Sequence, residues 1–142
     1  MKNLTKKQLN NLAKVFKKYN VVFAYLFGSQ ATGKTNQASD FDIAVMLPEK
    51  YDSSKRFKIR LKIMSEVGRA VGYPDKVDLV VLNDTKLILF KFVIIREGKV
   101  IYENNHLKRV NFELKTMNNY YDFSPFIEAY NKAYLKRILA DV

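Results

Sequence analysis

The sequence predicts an α/β (α+β) fold in which a small mixed sheet is flanked by helices. Three features predict it. The chain opens on an amphipathic helical stretch, short apolar runs rich in β-branched and aromatic residues recur along it, and segments of helical spacing alternate with those runs. Its 142 residues suit one compact domain with a short helical appendage.

Leu4, Leu9, Leu12, Val15, Phe16 and Tyr19 recur at helical spacing with lysines between them. Thr5 is a suitable N-cap, so a first helix is expected over 5–19, ended by Asn20. The run Val21 to Phe27 is apolar on both faces and stops at Gly28-Ser29, as a buried central strand would. A polar, turn-rich segment follows, and Asp40 to Leu47 reads as a second strand closed by Pro48. Helical spacing returns over 52–72 through Phe57, Leu61, Met64, Val67 and Val71, with Asp52 or Ser53 as cap. Lys76 to Asn83 reads as a third strand and Lys99 to Glu103 as a fourth. Between them, 85–96 is long enough for a buried helix, with Gly98 just past its end. From His106 onward two helical stretches are expected, divided at Asp122 to Pro125, with Ser124 as N-cap and Pro125 at the first helical position. The expected organisation is a domain over 1–105 and a C-terminal helical extension over 106–142, packed on it and available for partner docking.

With 25 basic against 14 acidic residues the net charge is +11, which favours a polyanionic partner or an acidic protein surface. The plain alternative is a lysine-rich solubilising surface, since the lysines form no dense block. The absence of cysteine removes disulfides, thiolate metal sites and cysteine nucleophiles together. Neither a signal peptide nor a membrane-crossing apolar run is visible, so a cytoplasmic location and no membrane partner are expected.

Chemistry concentrates in LFGSQATGKTNQASDFDIAV. Asp40 and Asp42 are two apart in a strand, so both leave one face, while Phe41 and Ile43 face the core. Carboxylates about 7 Å apart at Cα repel one another unless cations lie between them. Such a pair can chelate two Mg²⁺ ions about 4 Å apart, the arrangement that serves phosphoryl and nucleotidyl transfer. Alone, the pattern is most simply a polar strand face turned to water. Two further features weigh against that. Gly28-Ser29 ends a buried strand where backbone N–H groups and a hydroxyl can cradle phosphate oxygens. Asp78 lies within the next apolar strand, where a buried carboxylate needs a partner that a metal ion would supply.

The segment GSQATGKTNQASDFDIAV, with Asp78 as third acid, resembles the GSx10DxD signature of the DNA polymerase β-like nucleotidyltransferase superfamily over about residues 20–85. The short length, REGKVIYE and the tail VNFELKTMNNYYDFSPFIEAYNKAYLKRIL are similar to the MntA-type minimal nucleotidyltransferase antitoxins, partners of HEPN-family ribonuclease toxins. The resemblance implies that Asp40 and Asp42 hold both Mg²⁺ ions, and that Asp78 completes the ion nearer the acceptor and takes its proton. It further implies that Gly28 and Ser29 bind the β- and γ-phosphates of ATP, and that AMP passes to a tyrosine of a cognate toxin. Many relatives read GSRARG where this chain reads GSQATG, which leaves Lys34 as the substitute cation for nucleotide binding.

Other residues carry less. His106, the only histidine, is expected at a helix start in a surface or capping role. Tyr120, Tyr121, Phe123, Phe126 and Tyr130 form an aromatic cluster that suits core packing between helices or a docking surface. Lys55, Arg56 and Lys58 are available to a triphosphate, although no spacing demands it. Two further functions remain open at this level: the same fold acting on RNA or a small molecule, and a binder that silences a toxin by contact alone.

Overall fold

The structure is a computed structural model and describes residues 4–28 and 40–140. Helix α1 (Lys6–Lys18) begins at Thr5, whose hydroxyl accepts from the Gln8 N–H while the Gln8 side chain accepts from the Thr5 N–H. This reciprocal cap satisfies two otherwise orphaned donors. The helix ends at Tyr19, and Asn20 takes a positive φ of 58° to redirect the chain.

Strands β1 (Phe23–Phe27), β2 (Phe41–Met46), β3 (Val77–Val81) and β4 (Lys99–Glu103) form a sheet in the order β3-β2-β1-β4. β1 runs antiparallel to both β2 and β4, whereas β2 and β3 are parallel. The parallel pair requires a crossover, supplied by α2 (Ser53–Val71), which Asp52 caps and Gly72 ends at a left-handed φ of 83°. After β3 come a single 3₁₀ turn (Leu82–Asp84), α3 (Ile88–Glu97), β4 and α4 (His106–Ala140).

Alternation along the strands separates two faces. Ala24, Leu26, Phe41, Ile43, Val45, Leu79 and Val81 pack with Leu12 and Phe16 of α1 and Ile59, Ile63 and Val67 of α2. Phe23, Tyr25 and Ala44 pack on the opposite face with Leu82 and Ile94, joined by Phe90 of α3 and Phe112 of α4. The strand assignments and the capped helix starts match the sequence reading closely.

Four expectations are corrected. In α2 the buried stripe is Ile59, Ile63, Val67 and Val71, whereas Phe57 and Leu61 are exposed. Helix α3 exists but is not buried: Ile94 is its buried residue, and Leu89 and Val93 are exposed. Gly98 is not a left-handed cap, since its φ is −77°; it is needed because an added Cβ would lie 2.3 Å from the Ile94 carbonyl oxygen. The tail is one continuous helix with Pro125 inside it. Proline removes the N–H that the Tyr121 carbonyl would accept, and the Ser124 hydroxyl donates to that carbonyl instead, at 3.3 Å. Ser124 therefore repairs a helix rather than starting one.

Candidate active site

Three chain segments meet at one end of the sheet. β1 ends where β2 begins because the two are antiparallel, and β3 begins beside β2 because those two are parallel. In this register Phe27 and Asp78 lie on either side of Asp42. Asp40 precedes β2 and is exposed, and Phe41 anchors the strand start through its N–H to the Lys76 carbonyl at 2.7 Å. The core-facing placement of Phe41 and Ile43 is as expected, both being buried.

Asp42 is half-buried, and its carboxyl titrates above the usual aspartate range. Burial is the main cause, followed by the charges of Asp78 and Asp40. Asp42 therefore feels the charge of both other acids. Asp78 itself is exposed, which corrects the expectation of a buried carboxylate. Its apolar neighbour Leu79 points to the opposite face, so the apolar run around Asp78 does not enclose it.

Gly28 follows β1 with φ 71°, and a Cβ built there would lie 2.3 Å from Asp42 Oδ2. Only glycine allows both that conformation and that approach. Backbone and carboxylate are therefore held in direct apposition at the sheet end. Ser29 and Lys34, the other expected phosphate contacts, lie outside the described residues. Phe27, which sequence reasoning passed over, sits beside Asp42 and meets Phe90 edge-on at 5.8 Å between centroids. Strand pairing gives it that place, and pairing has no signature in a linear sequence.

Carboxylate oxygens suit a hard divalent cation. Among the described residues no three His, Cys, Asp or Glu side chains gather closely enough to hold an ion unaided. Mg²⁺ does not require that: it binds through one or two carboxylates and takes further oxygens from substrate phosphates and water. The pairing of Asp42 with Asp78 across β2 and β3, with Asp40 just before β2, is the observation that fits a cation here.

The other singled-out residues lie elsewhere. Arg56 is committed to Asp84, with Nη2 to Oδ1 at 2.6 Å, and to the Tyr51 carbonyl. Lys55 sits 4.2 Å from the centroid of the Tyr51 ring. His106 starts α4 and contacts Glu103 at 2.9 Å, while Asn105 caps the helix through the Lys108 N–H. The aromatic cluster divides: Tyr120 stacks on Phe92 at 3.8 Å, whereas Tyr121, Phe123 and Phe126 are exposed. No described helix is long and apolar enough to cross a membrane.

The family model described as polymerase beta, nucleotidyltransferase matches residues 10–107. A protein adenylyltransferase MntA from Aphanizomenon flos-aquae (strain 2012/KM1/D3) is 37% identical over 89 residues, which cover 55% of this chain and 54% of that protein. The match thus spans about half the length of that curated relative. Among solved structures, a chain from a toxin–antitoxin crystal structure with AMP-PNP superposes with a TM-score of 0.66 at 23% identity, covering 92% of this chain and 98% of the other. A chain from the complex of tri-AMPylated Shewanella oneidensis HEPN toxin with MNT antitoxin gives 0.61 at 22% identity, covering 93% and 96%. These likenesses show a shared fold. Together with the family match across most of its length, they establish that the chain belongs to the polymerase beta nucleotidyltransferase family.

Proposed function

We propose that the acidic end of the sheet transfers AMP from ATP to a tyrosine hydroxyl of a cognate HEPN-family toxin, so that the chain acts as its antitoxin. The observation that carries this reading is the apposition of Asp42 to Asp78 across the parallel pair, with Gly28 against the Asp42 carboxylate. The similar Aphanizomenon protein is named a protein adenylyltransferase, and the Shewanella complex contains a tri-AMPylated toxin, which supports the choice of acceptor.

Asp40, Asp42 and Asp78 are the residues that would hold two Mg²⁺ ions. Bound there, Mg²⁺ would supply Lewis-acid polarisation of phosphate and hydroxyl oxygens and neutralise the departing pyrophosphate. Gly28, with Ser29 and Lys34 from the segment that follows it, binds the triphosphate and orients its α-phosphorus. The exposed Asp78 accepts the proton of the acceptor hydroxyl. The new bond joins that oxygen to the α-phosphorus, the α–β bridge breaks, and pyrophosphate leaves. Each AMP added brings negative charge to the toxin, which repels RNA as well as blocking its path. The extension beginning at His106, with Phe123 and Phe126 exposed, serves as the docking element.

The test is transfer of label from α-³²P-ATP with Mg²⁺ to a co-expressed toxin, beside the Asp40→Ala variant. Label on the toxin that vanishes in the variant is the expected result. An unlabelled toxin that is still bound and silenced would make the chain a contact-only antitoxin. Label on added RNA would keep the transfer chemistry and overturn the protein acceptor, an outcome the net charge of +11 makes worth measuring.

A further inference from the structure

A second recess, of about 440 Å³, opens on the α3–α4 side of the sheet and is lined by Lys91, Lys115, Thr116 and Asn119, with Met46 and Leu82 among its apolar residues. Met46 lies four residues along β2 from Asp42, a separation of roughly 13 Å. The recess is therefore distinct from the acidic sheet end.

Lys91 and Thr116 in its lining have no protein partner among the described residues, and the exposed Lys115 stands beside them. Lys91 is half-buried, and burial, followed by the charge of Lys115, holds its ammonium below the usual lysine range. Neither lysine forms an ion pair among the described residues. Thr116 is only 5% exposed, and its hydroxyl has no hydrogen-bond partner among the described residues. A buried hydroxyl without a partner and two adjacent like charges are each unfavourable. One oxyanion would relieve both, accepting from the hydroxyl and from two ammonium groups. Arg56 also lines the recess, but Asp84 neutralises it. Glu49 is the acid in the lining, and it is exposed.

We propose that this recess is a second phosphate-binding site, which takes the phosphate group of a nucleotide or of an oligonucleotide chain. Two point-like ammonium donors from different helices, plus a hydroxyl, suit a tetrahedral group with several acceptor oxygens. A single carboxylate offers only two oxygens to these three donor groups. The inference does not depend on the transfer reaction proposed above.

Calorimetric titration of the full chain in EDTA tests it, with pyrophosphate as one probe and a tri-adenylate oligoribonucleotide as the other. Without divalent ions the acidic end repels phosphate, so Asp40→Ala leaves the affinity unchanged or improves it. The double variant Lys91→Met/Lys115→Met should weaken binding at least tenfold, and Thr116→Val should weaken it roughly threefold to tenfold. Lys91→Arg should retain binding, and the thermal melt of each variant reports whether it is folded. Tighter binding of pyrophosphate assigns the site to free nucleotides. Tighter binding of the oligonucleotide assigns it to a nucleic-acid chain. Equal affinities for wild type and the double variant, with either probe, would overturn the proposal.

Discussion

The two faces of the sheet have been put to different uses. Against α1 and α2 the face is closed by aliphatic and aromatic side chains, with Phe16, Ile43, Val45, Ile63 and Val67 fully buried. Against α3 and α4 it is only partly closed: Phe23, Tyr25 and Ile94 are buried, but Leu87 and Phe126 are each 73% exposed. The acidic site, the lysine recess and an apolar hollow bounded by Leu87, Leu89, Val93 and Phe123 all belong to this second side. The contrast teaches a division of labour. One face holds the fold together, which allows the other to carry unpaired charge, an unsatisfied hydroxyl and exposed apolar surface.

That division has a direct energetic test. Phe16→Ala on the closed face should cost about 3–5 kcal/mol in urea unfolding, whereas Leu89→Ala on the open face should stay within about 0.5 kcal/mol. Equal losses would abolish the distinction. Gly28→Ala should reduce nucleotidyl transfer by roughly 100-fold, because the added methyl displaces the Asp42 carboxylate. The accompanying loss of stability should be only about 1–2 kcal/mol, the strain of a positive φ. A variant that retained full activity would show that the close apposition is dispensable.

The open face also has one well-tied region, where Arg109 bridges Glu103 and Glu113 while the Tyr25 hydroxyl donates to Glu113 at 2.7 Å. Arg109→Met removes the cation that the two acids share and should cost about 1–3 kcal/mol by the same unfolding measurement. The smallest effect is expected at Asp42. Its carboxyl keeps a proton more readily in the folded chain than in the unfolded one. The stabilising contribution is therefore fully present below the unfolded pKa and is lost as pH rises through the raised folded value. In EDTA, Asp42→Asn should accordingly melt slightly above wild type near neutral pH, with the gap closing as pH falls towards about 4. Added Mg²⁺ should favour the wild type. A gap independent of pH would contradict the linkage.

Much of the molecule was legible wherever a residue acts on its immediate neighbours. Thr5 and Asp52 announced their helices because capping is local chemistry, and the alternation around Phe41 and Ile43 announced which face is core. The spacing of the acids pointed to one end of the sheet for the same reason. Legibility failed where a choice depends on a distant partner. Phe57-Leu61 and Ile59-Ile63 are both valid helical stripes leading into Val67 and Val71, and only the docking of α2 on the sheet selects the second. Asp78 looked buried because its neighbours are apolar, yet the sheet leaves its face open. Ser124 and Pro125 carry a start signal that the repaired helix overrides. Lys91 and Lys115 are unremarkable apart from each other, and they become a pair only when α3 meets α4.

The parallel pairing of β2 with β3 has a consequence for how such a chain can vary by descent. Asp78 stands opposite Asp42 only in one register, and a slip of one residue would turn it to the closed apolar face. The length of the connection through α2 is thus a ruler set against the acidic cluster. Substitutions along the outer surface of that helix leave the ruler unchanged. A single-residue insertion or deletion between α2 and β3 puts the third acid at risk even if every acidic residue survives. Changes of length in this crossover should therefore be far rarer than changes of letter.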